Sequence, residues 1–151
     1  MRVPLLLSVT SALLWSGTNP DFSGDWKLDL AKSDFGKSPA PVAMTSHIQH
    51  HDPELTVESK TTRAEDTYTT KYRWFTDGRE VSNTIRGNEI RTTVMWNAGA
   101  LISNAKTKVD GVTLNVVDRW QLSEDGDWLT VSRTIVAPQG NAEQTFVYGK
   151  P

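Results

Sequence analysis

Residues 21–28 read Asp-Phe-Ser-Gly-Asp-Trp-Lys-Leu, and this stretch decides how the chain is interpreted. Apolar and polar residues alternate from Phe22 to Leu30, which is the pattern of a strand with one buried face, so Leu28 and Leu30 are expected to point inward. Gly24 allows another backbone or ring to approach closely. Trp26 is large enough to plug one end of a closed sheet. The stretch predicts an opening strand, 22–30, with Gly24 and Trp26 as a structural plug.

The rest of the chain predicts nine further strands. Segments with a period of two are separated by turn signals such as Asp77-Gly78, whose residues allow the positive φ that tight hairpins need. Ten strands in sequence order would leave two long edges in a flat sheet, and closure removes them. We therefore predict an all-β, antiparallel up-and-down β-barrel of about ten strands, with a two-sheet β-sandwich as the alternative. The nine strands are 43–50, 54–61, 67–75, 80–86, 89–96, 100–109, 112–121, 128–136 and 143–148.

The Phe-x-Gly-x-Trp-Lys-Leu pattern of residues 22–28 resembles the first strand of the calycins, the superfamily that holds the lipocalins and the fatty-acid-binding proteins. The resemblance implies a lipocalin-like barrel with a ligand cavity. It also implies that Arg133 covers Trp26 as a cation–π lid. Residues 31–42 are too short and too rich in Pro and Gly for the helical lid of fatty-acid-binding proteins, so we expect a loop across one mouth of the barrel.

The beginning of the chain resembles an export signal. Arg2 supplies a positive charge, and residues 3–15 are apolar but too short to span a bilayer. We expect residues 1–20 to be a secretory signal peptide and residues 21–151 to be the barrel domain, in a secreted or periplasmic protein. The alternative for the apolar segment is a buried strand or helix.

Composition narrows the classes of partner. The formal charge is −2, from 16 basic and 18 acidic residues, and no basic run stands out, which argues against a nucleic-acid partner. The chain has no cysteine, so it forms no disulfide and carries no lipoprotein anchor; we expect no membrane anchor. It has no phosphate-binding glycine loop and no nucleotide fingerprint, so we predict no cofactor.

The predicted inner face carries more than a simple core. Asp118 and Arg133 lie on consecutive strands joined by a tight turn, so they should lie opposite or diagonal to each other. They form either a structural ion pair or a polar anchor for a ligand carboxylate or hydroxyl, because an unpaired buried charge costs several kcal/mol. Large aromatic side chains on the same face, Trp74, Trp96 and Trp120, either pack the core or line a cavity for a flat or aliphatic ligand. The candidate ligand-binding residues are Trp74, Asn83, Trp96, Asp118, Trp120 and Arg133.

A histidine cluster is the one group that resembles metal ligands. His47 and His51 share a strand face but stand about 13 Å apart, and His50 points the other way. Two ligands of one ion cannot lie so far apart on a straight strand. We therefore predict surface histidines and no metal site.

Three functional classes remain. The first is a secreted or periplasmic binding protein for a small, largely apolar molecule held inside the barrel. The second is a barrel filled by its own side chains, whose loops bind a protein or glycan. The third is a calycin-type enzyme with Asp118 as base; no catalytic residue is assigned. A pocket of roughly 300 Å³ or more separates the first class from the second. The third requires that Asp118 be free of Arg133.

Overall fold

The computed structural model describes residues 18–151, so the predicted signal peptide lies almost entirely outside the described residues. Within them there are ten strands and no helix, and hence no helix of the length and apolarity needed to cross a membrane. The strands are β1 (Gly24–Leu28), β2 (Ala43–His51), β3 (Glu54–Thr62), β4 (Thr67–Phe75), β5 (Val81–Ile85), β6 (Asn88–Asn97), β7 (Ala100–Val109), β8 (Val112–Leu122), β9 (Trp128–Ala137) and β10 (Gly140–Gly149).

The ten strands form one antiparallel sheet in the order β4-β3-β2-β1-β10-β9-β8-β7-β6-β5. Every neighbouring pair is consecutive in the chain except β1 and β10, which join the beginning of the barrel to its end. The sheet curls until β4 approaches β5. This arrangement confirms the predicted up-and-down barrel, and a single continuous sheet excludes the two-sheet sandwich.

The seam between β4 and β5 is bridged by the side chain of Asn83. Its Nδ2 donates to the carbonyl oxygen of Arg73 at 3.0 Å, and its Oδ1 accepts from the backbone N–H of Arg73 at 3.1 Å. The carboxamide therefore satisfies the two backbone groups that a neighbouring strand would have paired.

Alternation along the strands places the core inside the barrel, as period-two patterning requires. One inward prediction is wrong: Leu30 is 42% exposed, because β1 ends at Leu28 and the chain turns at residues 30–32. The core cluster comprises Phe22, Trp26, Leu28, Ile48, Leu55, Val57, Trp74, Val94, Leu101, Trp120, Leu129, Val131 and Tyr148.

Residues 31–42 form a loop that docks on β10. Asp34 makes an isolated β-bridge with Thr145, and Gln144 Nε2 donates to the carbonyl oxygen of Phe35 at 3.2 Å. The ring of Phe35 meets Phe146 edge to face, with centroids 5.5 Å apart. The segment is not helical, in agreement with its Pro and Gly content, and it borders a cavity at one mouth of the barrel.

Candidate functional site

The polar centre of the barrel is an ion pair between β8 and β9. Asp118 and Arg133 are direct cross-strand partners. Arg133 Nε donates to Asp118 Oδ1 and Nη2 donates to Oδ2, both at 2.8 Å, so the contact is bidentate. The Asp118 side chain is 7% exposed and that of Arg133 is 34% exposed. The structure therefore shows the predicted ion pair, while a role of either residue in ligand binding stays a prediction.

Burial and this pairing keep the interior electrically balanced. Burial alone lowers the pKa of Arg133, but the hydrogen bonds and charge of Asp118 raise it above its usual value, so the guanidinium stays charged. Burial raises the pKa of Tyr148 to about 12 and also raises the pKa of Tyr72, so both phenols are neutral at physiological pH. The pair consequently stands among neutral aromatic groups.

Three cavities meet at Arg133. A mouth cavity of about 270 Å³ lies under the loop at Phe35 and reaches Arg133 past Phe146. A central cavity of about 60 Å³ lies between Arg133 and Trp26. A lateral cavity of about 190 Å³ lies on the other side of the ion pair, against β4–β8. Arg133 lines all three, so the ion pair stands at the junction of the hollow part of the barrel.

The predicted site residues fall into two groups. The predicted residues that line the lateral cavity are Trp74, Asn83, Asp118 and Arg133. Trp120 lines the central cavity together with Asp118 and Arg133. Trp96 lies elsewhere: its Nε1 donates to Asp52 Oδ1 at 3.3 Å and its ring stacks on Phe22 at 5.8 Å. Geometry brings five of the six predicted residues together and places Trp96 at the closed end of the barrel.

The closed end contains the predicted plug, with a different cation over it. Trp26 is 1% exposed and its Nε1 donates to the carbonyl oxygen of Phe22 at 2.9 Å. Lys150 Nζ lies 3.8 Å from the Trp26 ring centroid, whereas Arg133 is paired with Asp118, so the expected Arg133 lid is wrong. Gly24, with φ of +133°, leaves the space that Lys150 uses, since a Cβ there would stand 2.8 Å from Nζ.

His50 also belongs to the closed end, which corrects the prediction of a surface histidine. It is 5% exposed and stacks on Phe22. The backbone N–H of Phe22 donates to Nδ1 at 3.2 Å, so Nδ1 is an acceptor and Nε2 carries the proton that it donates to Asp52 Oδ1 at 3.0 Å. Its role is structural, because both ring nitrogens are engaged.

Asp52 collects the hydrogen bonds of this closed end. Thr76 Oγ1 donates to Asp52 Oδ1 at 2.6 Å, and His50 and Trp96 donate to the same atom. Partial burial raises the pKa of Asp52, but these hydrogen bonds outweigh it and hold the pKa below its usual value. Within residues 18–151, no three His, Asp or Glu side chains are grouped as metal ligands.

Several residues that line the central cavity were not among the predicted site residues. Tyr72, Phe146 and Tyr148 are three of these residues, and they line the cavity beside the ion pair. Ser46 and Ser59 also line the central cavity, where their hydroxyls are hydrogen-bonded at 2.7 Å. Small polar residues in phase with apolar neighbours were the available signal for this serine pair.

The enzyme hypothesis requires Asp118 to be free of Arg133, and the structure shows these two side chains in contact. Both carboxylate oxygens of Asp118 accept hydrogen bonds from Arg133, whereas a general base at this position required Asp118 free of that contact. Among the described residues, Trp120 Nε1 is a buried donor without a hydrogen-bond partner, and Trp120 lines the central cavity together with Asp118.

Comparison with solved structures identifies the fold. The chain is similar to a secretory abundant heat soluble protein from Ramazzottius varieornatus (13% identity, 89% of this chain and 98% of the other, TM-score 0.60). It is also similar to zebrafish ileal bile acid-binding protein solved with cholic acid (15%, 86% and 98%, 0.59). A Schistosoma mansoni fatty-acid-binding protein solved with arachidonic acid matches at 16% identity (86% and 96%, 0.52). These likenesses confirm the predicted calycin-type barrel, and at such identities they show the fold alone.

The sequence comparisons return nothing: no family model and no curated protein matches this chain.

Proposed function

We propose that this protein binds a small, largely apolar molecule inside its barrel. The observation that carries the proposal is the run of cavities from the mouth beneath Phe35, past Arg133, to the lateral wall at Trp74. The lateral cavity has a mainly apolar surface with Asp118 and Arg133 at one side, and a largely apolar pocket with a few polar groups is the usual composition of a ligand site. Two proteins of similar fold were solved with cholic acid and arachidonic acid, which supports a largely apolar small molecule as the ligand here.

The volumes limit the size of the ligand. The lateral cavity, about 190 Å³, is slightly larger than an apolar cavity of about 150 Å³ that accepts benzene. We therefore expect a ligand of one ring with a short chain, or an aliphatic chain of similar volume, rather than a long lipid folded inside the barrel.

A filling substitution tests the proposal. Ala105 lines the lateral cavity, so Ala105→Phe should place a ring in that space while the barrel remains folded. Asn104→Phe on the same strand is the matched control, because Asn104 is exposed on the outer face. Titrating short- and long-chain lipids, retinoids and aromatic metabolites against tryptophan emission should give saturable binding at micromolar affinity or better for the wild type and Asn104→Phe, and its loss for Ala105→Phe.

The side-chain-filled interaction module is the second candidate. Each cavity is smaller than roughly 300 Å³, the lower end for ordinary ligand pockets, and this favours a filled barrel. Flat titrations for the whole panel, with unchanged folding, would select the interaction module.

The proposal includes a secreted or periplasmic location, which rests on the sequence of residues 1–20 alone. Intact mass of the exported protein should show a beginning between Gly17 and Asp21. Recovery of the full-length chain from the cytoplasm, with no exported form, would contradict this location.

A further inference from the structure

Inside the barrel, the positive charge of the Arg133 guanidinium is balanced by the carboxylate of Asp118. The bidentate contact with Asp118 uses Arg133 Nε and one Nη2 hydrogen, and both carboxylate oxygens take part. Among residues 18–151, no other charged side chain lines the central or the lateral cavity. A ligand that reaches this junction therefore meets a site with no net charge.

A carboxylate ligand would be disfavoured at such a site. Its charge would lie beside Asp118, whose side chain is 7% exposed, and water screens like-charge repulsion weakly at that depth. The Nη hydrogens of Arg133 that Asp118 leaves free could still donate to a ligand carboxylate, but the three groups together would then carry a net negative charge in a poorly screened interior.

A hydroxyl meets complementary partners at the same place. Asp118 oxygens have lone pairs beyond those used by Arg133 and can accept a hydrogen bond from a ligand hydroxyl. The Nη hydrogens of Arg133 that Asp118 does not use can donate hydrogen bonds to the hydroxyl oxygen of a ligand. One hydroxyl both donates and accepts, so it matches the neutral pair.

We propose that the junction at Asp118 and Arg133 selects neutral ligands that carry a hydroxyl and discriminates against carboxylates of the same shape. The inference rests on the proposed binding function and specifies the chemical class of its ligand. The specificity-determining residue is Asp118, because it cancels the charge that would otherwise attract an anion.

The test uses two probes that share a ring and chain, 4-phenyl-1-butanol and 4-phenylbutanoate, titrated by calorimetry at pH 7. The wild type should bind the alcohol at least about tenfold more tightly than the acid. Asp118→Asn keeps the side-chain shape and leaves Arg133 with a net charge, so the acid should gain about tenfold or more and the preference for the alcohol should be lost. Asp125→Asn removes a carboxylate from an exposed turn and should change neither affinity.

Two further variants keep the inference falsifiable if Asp118→Asn folds poorly. The double variant Asp118→Asn/Arg133→Gln has no interior charge and should bind the acid and the alcohol within about threefold of each other. Arg63→Gln removes the one cation besides Arg133 that lines the mouth cavity among the described residues, so acid binding confined to the mouth would be lost in Arg63→Gln and retained in Asp118→Asn.

The outcomes separate the two proposals. Equal or tighter binding of the acid by the wild type, at the interior site, would overturn this inference and leave the binding function standing. An Asp118→Asn variant that folds and still rejects the acid would also overturn it. Failure of both probes with the wild type and every variant, together with a flat titration panel, would overturn the binding function and the inference with it.

Discussion

The two ends of the barrel interior use aromatic side chains in opposite ways. At the closed end, Phe22 is fully buried and lies 5.7–5.8 Å from the rings of His50, Trp96 and Trp120, so the rings fill the space. Around Arg133, aromatic rings border three cavities instead. Aromatic side chains therefore fill the interior at the closed end, whereas around Arg133 they leave cavities between them. Only this second region has space for a ligand.

Truncating the plug should have the largest effect on stability. Trp26 is 1% exposed, so Trp26→Ala should lower the free energy of unfolding by about 3–5 kcal/mol in urea titrations. Met95→Ala, at a side chain that is 59% exposed, should change it by less than about 0.5 kcal/mol. A loss below about 1 kcal/mol for Trp26→Ala would show that the closed end does not support the fold.

The ion pair should come next, with an asymmetry between its partners. Arg133→Ala leaves the carboxylate of Asp118 buried, so we expect a loss of about 3 kcal/mol. Asp118→Ala leaves an arginine that is 34% exposed and can reach water, so the loss should be smaller, about 1–2 kcal/mol. The double variant should recover part of the larger loss in a double-mutant cycle. If the two single variants lost equal stability and the double variant lost the sum of both, Asp118 and Arg133 would not stabilise each other.

The closed end should also respond to acid through Asp52. The pKa of its carboxyl is below its usual value of 3.8 in the folded protein, so its stabilising contribution is fully present above about pH 4 and is lost as pH falls through the folded-state value. Asp52→Asn should lower the free energy of unfolding by about 1 kcal/mol at pH 7, since the side chain is 45% exposed. Unfolding measured from pH 7 to pH 3 should show this difference shrinking toward zero. A difference that stays constant with pH would exclude the ionised form as its source.

The smallest effect should be at the seam. Asn83→Ala removes two hydrogen bonds to the backbone of Arg73 on an exposed edge, so the loss of stability should be about 0.5–1 kcal/mol. The amide of Arg73 should exchange with solvent faster, while amides in β8 and β9 remain protected. Unchanged exchange at Arg73 would show that Asn83 does not close the seam.

Period-two alternation and turn chemistry were sufficient to predict the ten strands. Their bounds agree closely, although β10 begins at Gly140 rather than at residue 143, because strand pairing with β9 continues into the hairpin. The Asp118–Arg133 contact was also accessible, since two inward residues on consecutive hairpin strands come into register around a short turn.

The errors about Arg133 and His50 share a physical cause, because both concern contacts between residues that are distant in sequence. Nothing in the alternation specified that Lys150, at the far end of the chain, would cover Trp26 instead of Arg133. The burial of His50 depends on Phe22, which lies 28 positions earlier and reaches it only when β1 pairs with β2. Cavity volume depends on how side chains from ten strands fit together, so the pattern predicted an inner face but not how much of it is hollow.

Mapping a ligand by NMR tests the division between the two regions most directly. Backbone amide shifts should be followed while 4-phenyl-1-butanol is titrated into the labelled protein. We expect saturable shifts concentrated at Asn83, Ser103, Ala105, Asp118 and Arg133. The amide shifts of Phe22 and His50, at the closed end, should remain unchanged. Shifts confined to outer loops, or a saturable titration that perturbs the closed end and spares Asp118 and Arg133, would contradict it.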